Sequence, residues 1–328
     1  MATTTRADAA TKEEYLQLHG WMCMAKALDD RMHMLVKQGR APFVGSSRGH
    51  EGIQVACSAS IGPDDWLVPH YRALANAIVR GLTMKEWMLA VFAKAADPLS
   101  GGRNLPGGCY SYRKLKIAPV SQVVASWIPK AAGIAYAIKL KGEDSVVLCT
   151  FGDGATSMGE FHEGVNFAAV HKLPVVFVCE NNSYAISVPI RLQMANPNIA
   201  DRAAGYGIAG VTVDGTDVPA SYQVCRDAVA RARRGEGPTL VEAKIWRINS
   251  HTSEDNQLKY RGKEEMEEAA RHDPIVRFTD WLIQRRWITA DGAAAVQAAC
   301  DQEASDAADW AEQQPDPLPE DALKNVFA

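Results

Sequence analysis

The sequence predicts an α/β fold: a parallel sheet flanked by helices, with helical extensions at the N- and C-terminal ends. Three observations carry this. Short apolar runs at 146–149, 175–179 and 239–246 have strand length and are separated by helix-length stretches. Polar tips, Gly152-Asp153-Gly154 and Asn181-Asn182, follow two successive runs. A βαβ crossover makes such strands parallel and puts both tips at one edge of the sheet. Finally, the 328 residues are 47% apolar, enough to bury a large core.

The elements follow in order. Residues 1–11 lack an apolar pattern and are expected to be disordered; they also lack the apolar core of a signal peptide. From 12 to 38, Tyr15, Leu18, Met22, Ala25, Leu28, Met32 and Leu35 recur every three or four residues, which predicts an amphipathic helix. The stretch 39–49 is a Gly- and Ser-rich loop, and 51–60 is helical. Gly62-Pro63-Asp64-Asp65 turns the chain into a short strand at 66–68. Its tip carries Tyr71 and Arg72. A phenol beside a planar guanidinium fork suits a phosphate, although the same pair can simply start the next helix.

Thr83 and Glu86 have capping-box spacing at the head of a helix over 83–95. The long Gly-rich stretch 97–115 reads as an active-site loop. A helix over 128–141 accepts Pro129 in its first turn. The first two polar-tipped strands enclose a helix at 159–171. A loop at 189–204 leads to a strand at 209–213, ended by Asp214-Gly215. A helix over 218–234 is closed by Gly235. Its Arg231, Arg233 and Arg234 read as a solvated end that complements the helix dipole. The strand at 239–246 leads to His251. Beyond 263 the chain is polar and helical, with helices at 273–283 and 293–313 and a proline-rich tail. This region is expected to pack on a partner subunit. The predicted divisions are an arm and helix at 1–40, an α/β domain at 41–262, and a C-terminal helical extension at 263–328.

Composition narrows the class. A net charge of −4 offers no basic surface for nucleic acid or an anionic membrane. No apolar run approaches the ~18–20 residues of a membrane span. The seven cysteines are odd in number, scattered and without a CxxC pair, which fits a reduced, cytoplasmic setting.

Chemistry concentrates where the two polar tips meet. The carboxyl edge of an open α/β sheet is where ligands bind. There the sequence sets the carboxylate of Asp153 beside the amide oxygen of Asn182, with Gly152 and Gly154 leaving the backbone open to a phosphate. Magnesium suits such a set: it takes oxygen ligands octahedrally, few of them from protein side chains. The Tyr184 carbonyl, two diphosphate oxygens and a water would complete six. Each tip alone is ordinary turn chemistry. The pairing of GDG and NN across 26 residues, each behind a strand, is what carries the reading.

This GDG–x26–NN pattern resembles the thiamine diphosphate motif. The surrounding FGDGATSMGEFHEGVNFAAVHKLPVVFVCENNSYAISVP is similar to the alpha subunits of the 2-oxo acid dehydrogenases, especially the bacterial branched-chain type. The resemblance runs from about Gly45 to the C-terminus. It implies a thiamine diphosphate-binding fold that holds the cofactor with Mg2+, the metal resting on Asp153, Asn182 and Tyr184. It places Tyr71 and Arg72 at the diphosphate and adds Gly152, Gly154, Ala155, Ile186 and His251 to the cofactor contacts. Val124 matches an apolar residue that props the cofactor into a bent shape, and it reads equally well as a core valine. The segment Ser250 to Asp255 matches the family's HxxxD-type loop, which makes His251 the expected catalytic residue. Thr252 stands where eukaryotic relatives carry a phosphorylated serine.

The chain also departs from the pattern. Gly108 stands where many relatives have a substrate-handling histidine. Val123 and Trp127 replace residues of a loop that binds a monovalent cation in some relatives.

The resemblance further implies partners. A beta subunit in an α2β2 heterotetramer supplies the glutamate that activates the aminopyrimidine, because this chain is too short to hold both cofactor-binding halves. A lipoyl acyltransferase core takes the acyl group from a 2-oxo acid, expected to be branched-chain. Alternatives are pyruvate and acetoin dehydrogenase alpha subunits and a non-catalytic scaffold that keeps the fold. A phosphoryl-transfer enzyme would need a GxxxxGK[ST] loop, which the sequence lacks.

Overall fold

The computed structural model describes residues 10–104 and 108–324. Helix α1 (Lys12–Lys37) opens the chain behind a capping box of Thr11 and Glu14. Helix α2 (Glu51–Ala59), strand β1 (Trp66–Val68) and helices α3 (Leu74–Val79), α4 (Met84–Val91) and α5 (Trp127–Lys141) follow. Next come β2 (Val147–Gly152), α6 (Gly159–Val170) and β3 (Val175–Asn181), then a small hairpin, β4 (Tyr184–Ala185) and β5 (Val188–Pro189). Helix α7 (Ala203–Tyr206), β6 (Ala209–Asp214), α8 (Val218–Arg233) and β7 (Thr239–Lys244) complete the sheet region. Helices α9 (Lys263–Arg271), α10 (Pro274–Gln284) and α11 (Ala290–Glu312) end the chain.

The main sheet is parallel throughout, in the order β1-β2-β3-β7-β6. Side chains alternate between its faces, as the two-residue period of a strand requires. Leu148, Val176, Val178 and Val241 enter a core with α1, α2, α4, α8, α10 and α11. Val147, Cys149, Phe151, Val175 and Phe177 enter a second core with α5 and α6. Helices therefore cover both faces, the arrangement expected of strands that read as continuous apolar runs.

Several details differ from the sequence expectation. The helix expected over 83–95 stops at Val91, and Ala93 takes a left-handed φ of +52°. Strands β2 and β3 run past their apolar runs to Gly152 and Asn181, because the flanking strands supply ladder partners there. The stretch 189–204 is not a plain loop: it holds β5, two 3₁₀ turns and the start of α7. Helix α11 begins at Ala290, capped by Thr289. Arg233 is not a solvated end: it reaches buried Asp65 at 2.6 Å and Asp144 at 3.3 Å, while Arg231 and Arg234 pair with Glu236.

The buried alanine face of α11, with Ala304, Ala307, Ala308 and Ala311, packs on α1 and α4 of the same chain. Residues 1–9 of the N-terminal arm, residues 105–107 of the Gly-rich loop, and the last four residues of the tail lie outside the described residues. No described helix is long and apolar enough to cross a membrane.

Candidate active site

The carboxyl edge of the sheet gathers the tips of four strands into one cleft. Strand β1 delivers His70, Tyr71 and Arg72; β2 delivers Asp153; β3 delivers Asn182; and the loop beyond β7 delivers His251. The cleft, of about 270 Å3, is lined by all eleven residues singled out from the sequence: Tyr71, Arg72, Val124, Gly152, Asp153, Gly154, Ala155, Asn182, Tyr184, Ile186 and His251. His50, His70, Trp127, Met158 and Ala185 also line it, and sequence reasoning missed them as site residues. Val124 is 36% exposed on the cleft wall, which rules out the core-valine reading.

Asp153 heads a 3₁₀ turn directly after β2 and is almost fully buried. Its Oδ2 accepts a hydrogen bond from Gln193 Nε2 at 3.1 Å, while Oδ1 has no partner. Burial pushes its carboxyl up to about 6, against the lowering effect of the Gln193 bond. A buried carboxylate oxygen without a donor is costly unless a cation meets it. Asn182 Oδ1 accepts from the Tyr184 N–H at 3.0 Å. Among the described residues no three His, Cys, Asp or Glu side chains cluster to hold a metal. A cation here would rest on one carboxylate, one amide oxygen and backbone or ligand oxygens, a set that fits Mg2+ and does not fit zinc.

The two motif glycines act differently. A Cβ on Gly152 would meet nothing within 4 Å, so this strand tip is open. A Cβ on Gly154 would lie 2.9 Å from the Ala185 side chain. Gly154 is thus required for close packing of the β4–β5 hairpin, a reason other than phosphate access. The hairpin is itself strained: Ser183 and Ile186 have φ of +66° and +55°. A β-branched residue rarely takes this conformation, and the surrounding structure must hold it. The Ile186 carbonyl accepts from Arg247 Nη1 at 2.9 Å, and the Ser183 carbonyl from the Ile190 N–H at 2.8 Å.

Arg72 and Arg247 are buried guanidinium groups beside the cleft. Arg72 donates through Nη1 to the Ser46 carbonyl, and through Nη2 to His251 Nδ1 and the His251 carbonyl, both at 3.0 Å. Its fork is therefore partly committed to holding the His251 loop and is not wholly free for a phosphate. Arg247 donates to Ile186 and to the Tyr260 hydroxyl. Both arginines thus hydrogen-bond neutral acceptors; Arg72 lines the cleft, and Arg247 also feels the charge of Asp255. Burial, then Arg72 and Arg247, pull His251 down to about 3, so it is neutral near pH 7. Arg72 can only donate, so His251 Nδ1 accepts and its Nε2 carries the proton. His251 is a hydrogen-bond donor at Nε2. The network extends through Asp255, which accepts from the His251 N–H at 2.9 Å and from the Tyr260 hydroxyl.

A buried carboxylate and an amide thus meet across two parallel strand tips, in a cleft that Arg72 lines and beside which Arg247 is buried. The profile of the family described as "Dehydrogenase E1 component" matches residues 19–320. The chain belongs to the dehydrogenase E1 component family. Its members depend on thiamine diphosphate, and the parallel sheet with helices on both faces is their cofactor-binding fold. This E1 component is 42% identical over 319 residues to "2-oxoisovalerate dehydrogenase subunit alpha" of Bacillus subtilis, spanning 97% of this chain and 96% of that protein. It is 40% identical to "3-methyl-2-oxobutanoate dehydrogenase subunit alpha" of Mycobacterium tuberculosis, over 82% of this chain and 71% of that one. It is 37% identical to "Pyruvate dehydrogenase E1 component subunit alpha" of Staphylococcus aureus, over 83% and 71%.

The signal for the missed His50 and His70 was weak. Each is a lone histidine in a different segment, and only the fold brings both to Glu180. Trp127 is buried and donates its indole N–H to the Thr150 carbonyl at 2.9 Å, so it braces β2 from the head of α5.

Proposed function

We propose that this E1 component is the alpha subunit of a branched-chain 2-oxo acid dehydrogenase, holding thiamine diphosphate through Mg2+ and working with a beta subunit. The observation that carries the reading is the unpaired, buried Asp153 Oδ1 beside Asn182 in a cleft under positive charge. Thiamine diphosphate supplies the electron sink for loss of carbon dioxide from a 2-oxo acid. In this chain Asp153, Asn182 and the Tyr184 carbonyl hold Mg2+. Tyr71 and Arg72 orient the diphosphate. Val124 and Ile186 form the apolar walls, and His251 donates from Nε2 toward charge that develops in the cleft.

Asp153 is the sole carboxylate lining the cleft among the described residues, and it is assigned to the cation. A carboxylate to activate the aminopyrimidine must therefore come from another chain, which supports a beta subunit in an α2β2 assembly. Exposed Val123, Ile186, Val188 and Leu192 beside the cleft suit such an interface. Transfer of the acyl group to a lipoyl carrier completes the proposal. The branched-chain preference rests on the names of the relatives at 42% and 40% identity. The relative at 37% favours pyruvate as the second reading. A cytoplasmic setting is part of the proposal, supported by seven free cysteines.

Co-expression with the beta subunit, followed by oxo acid-dependent dye reduction, tests the reading. Turnover should require both subunits, thiamine diphosphate and Mg2+, and should rank branched-chain oxo acids above pyruvate. A reversed ranking would select the pyruvate reading. A stable, cofactor-loaded complex inert to all 2-oxo acids would leave a scaffold that has kept the fold.

A further inference from the structure

At the wall of the cleft, His50 and His70 belong to a cluster of buried polar side chains that the mechanism above does not use, together with Gln54 and Glu180 behind them. Glu180 sits within β3, two residues before Asn182. Its Oε2 accepts from Gln54 Nε2 at 2.9 Å and lies 2.7 Å from His50 Nδ1. His70 Nε2 stands 3.0 Å from Oε1. On its other side, His50 turns Nε2 toward Asn182 Nδ2 at 3.3 Å.

We propose that His50 is a positioning residue that fixes the carboxamide of Asn182, and that Glu180 decides which of its ring nitrogens is the acceptor. The inference rests on the cation reading given above. A carboxylate can only accept, so His50 Nδ1 carries a proton. The Asn182 amide is oriented independently, because its Oδ1 receives the Tyr184 N–H at 3.0 Å. Its Nδ2 therefore faces His50, and His50 Nε2 must be the acceptor. The amide is held at both ends, which leaves the second lone pair of Oδ1 with one direction. Without His50, only the single Tyr184 N–H bond would oppose a flip that presents NH2 to a cation, which repels it. Partners of this kind orient metal ligands throughout metalloprotein sites. Gln54 extends the network: its Nε2 also donates to the Arg72 carbonyl at 2.7 Å, and its Oε1 accepts from the Ala75 N–H at 3.2 Å. The cation side and the diphosphate side of the cleft are thus built on one buried carboxylate.

The test uses the reconstituted complex and follows quenching of tryptophan fluorescence as thiamine diphosphate is titrated at graded Mg2+. His50→Leu removes the acceptor and should raise the half-saturating Mg2+ concentration about ten-fold or more. His50→Gln can donate to Glu180 and accept from Asn182, and should stay within about three-fold of wild type. A thermal midpoint lowered by His50→Leu with an unchanged Mg2+ requirement would mean a purely structural role and overturn the proposal. Asp153→Asn is the control. If it loses Mg2+-dependent binding while both His50 variants bind normally, the His50 inference alone fails; if it binds like wild type, the cation reading fails with it. Should His50→Leu not assemble, a crystal structure of the wild-type complex with cofactor and Mg2+ decides. It should show Asn182 Oδ1 about 2.1 Å from the metal and Nδ2 on His50. His50 turned away from Asn182 would overturn the proposal.

Discussion

Asp153 combines a buried position with an unpaired oxygen, and its chemistry follows from the two together. Burial raises its carboxyl from an ordinary 3.8 to about 6. A raised acid favours the fold while it stays protonated. Asp153 therefore stabilises the cation-free protein most below about pH 4, and that contribution is lost as pH rises through about 6. Cation binding has the opposite sign, because it needs the carboxylate. The half-saturating Mg2+ concentration, read from cofactor-induced fluorescence change, should be flat between pH 7 and 8. It should rise about ten-fold for each pH unit below 6. A requirement that does not change with pH would remove Asp153 as a ligand. His251 behaves differently: with its ring held neutral to about pH 3, it contributes no titration near neutrality.

Helices α5 and α6 form the element pair on which the cleft depends. They cross at Gly164, where an added Cβ would lie 2.9 Å from the Pro129 nitrogen and 3.0 Å from the Ile128 carbonyl carbon. Both contacts are backbone atoms at the head of α5, so neither can rotate away. The same turn begins with Trp127, which bonds the Thr150 carbonyl and lines the cleft. Gly164→Ala should therefore destabilise the protein by about 1–3 kcal/mol in urea unfolding and also weaken cofactor binding. Gly133, on the exposed side of α5, meets nothing within 4 Å. Gly133→Ala should instead gain up to about 1 kcal/mol from helix propensity, with cofactor binding unchanged. Equal effects of the two substitutions would show that the helix crossing does not matter.

At the scale of the whole molecule, one sheet edge holds residues from four strand tips, separated in sequence by up to 180 residues, from Tyr71 to His251. Buried ion pairs tie the loop before α2 to the head of α10. Arg48 reaches Asp273 at 2.6 Å and also pairs with Glu51. A ligand that joins the tips should stabilise the whole unit, since it binds only when all are in place. Thiamine diphosphate and Mg2+ added together, at 100 times their dissociation constants, should raise stability by about 2.7 kcal/mol in equilibrium unfolding of the complex. Either alone should do much less. A gain from Mg2+ alone equal to that from both would place the metal somewhere other than this cleft.

The sequence, with the resemblance it carries, determined the parallel α/β class, the main strands and helices, and eleven of the sixteen residues that line the cleft. It could do so because GDG, NN, YR and the His251 loop are local signals, each read at the end of an apolar run. Capping pairs such as Thr83 and Glu86 were legible for the same reason: their hydrogen bonds span three residues. Only the tertiary structure decided which polar groups have partners. It showed that Arg72 is half committed to His251, that Gly154 makes room for Ala185, and that Arg233 clamps Asp65. It also brought His50, His70 and Gln54 to Glu180 across as many as 130 residues. No local pattern marks such a cluster, because a buried charge is stabilised by whatever donors the fold delivers to it, and that delivery depends on sheet order and helix packing.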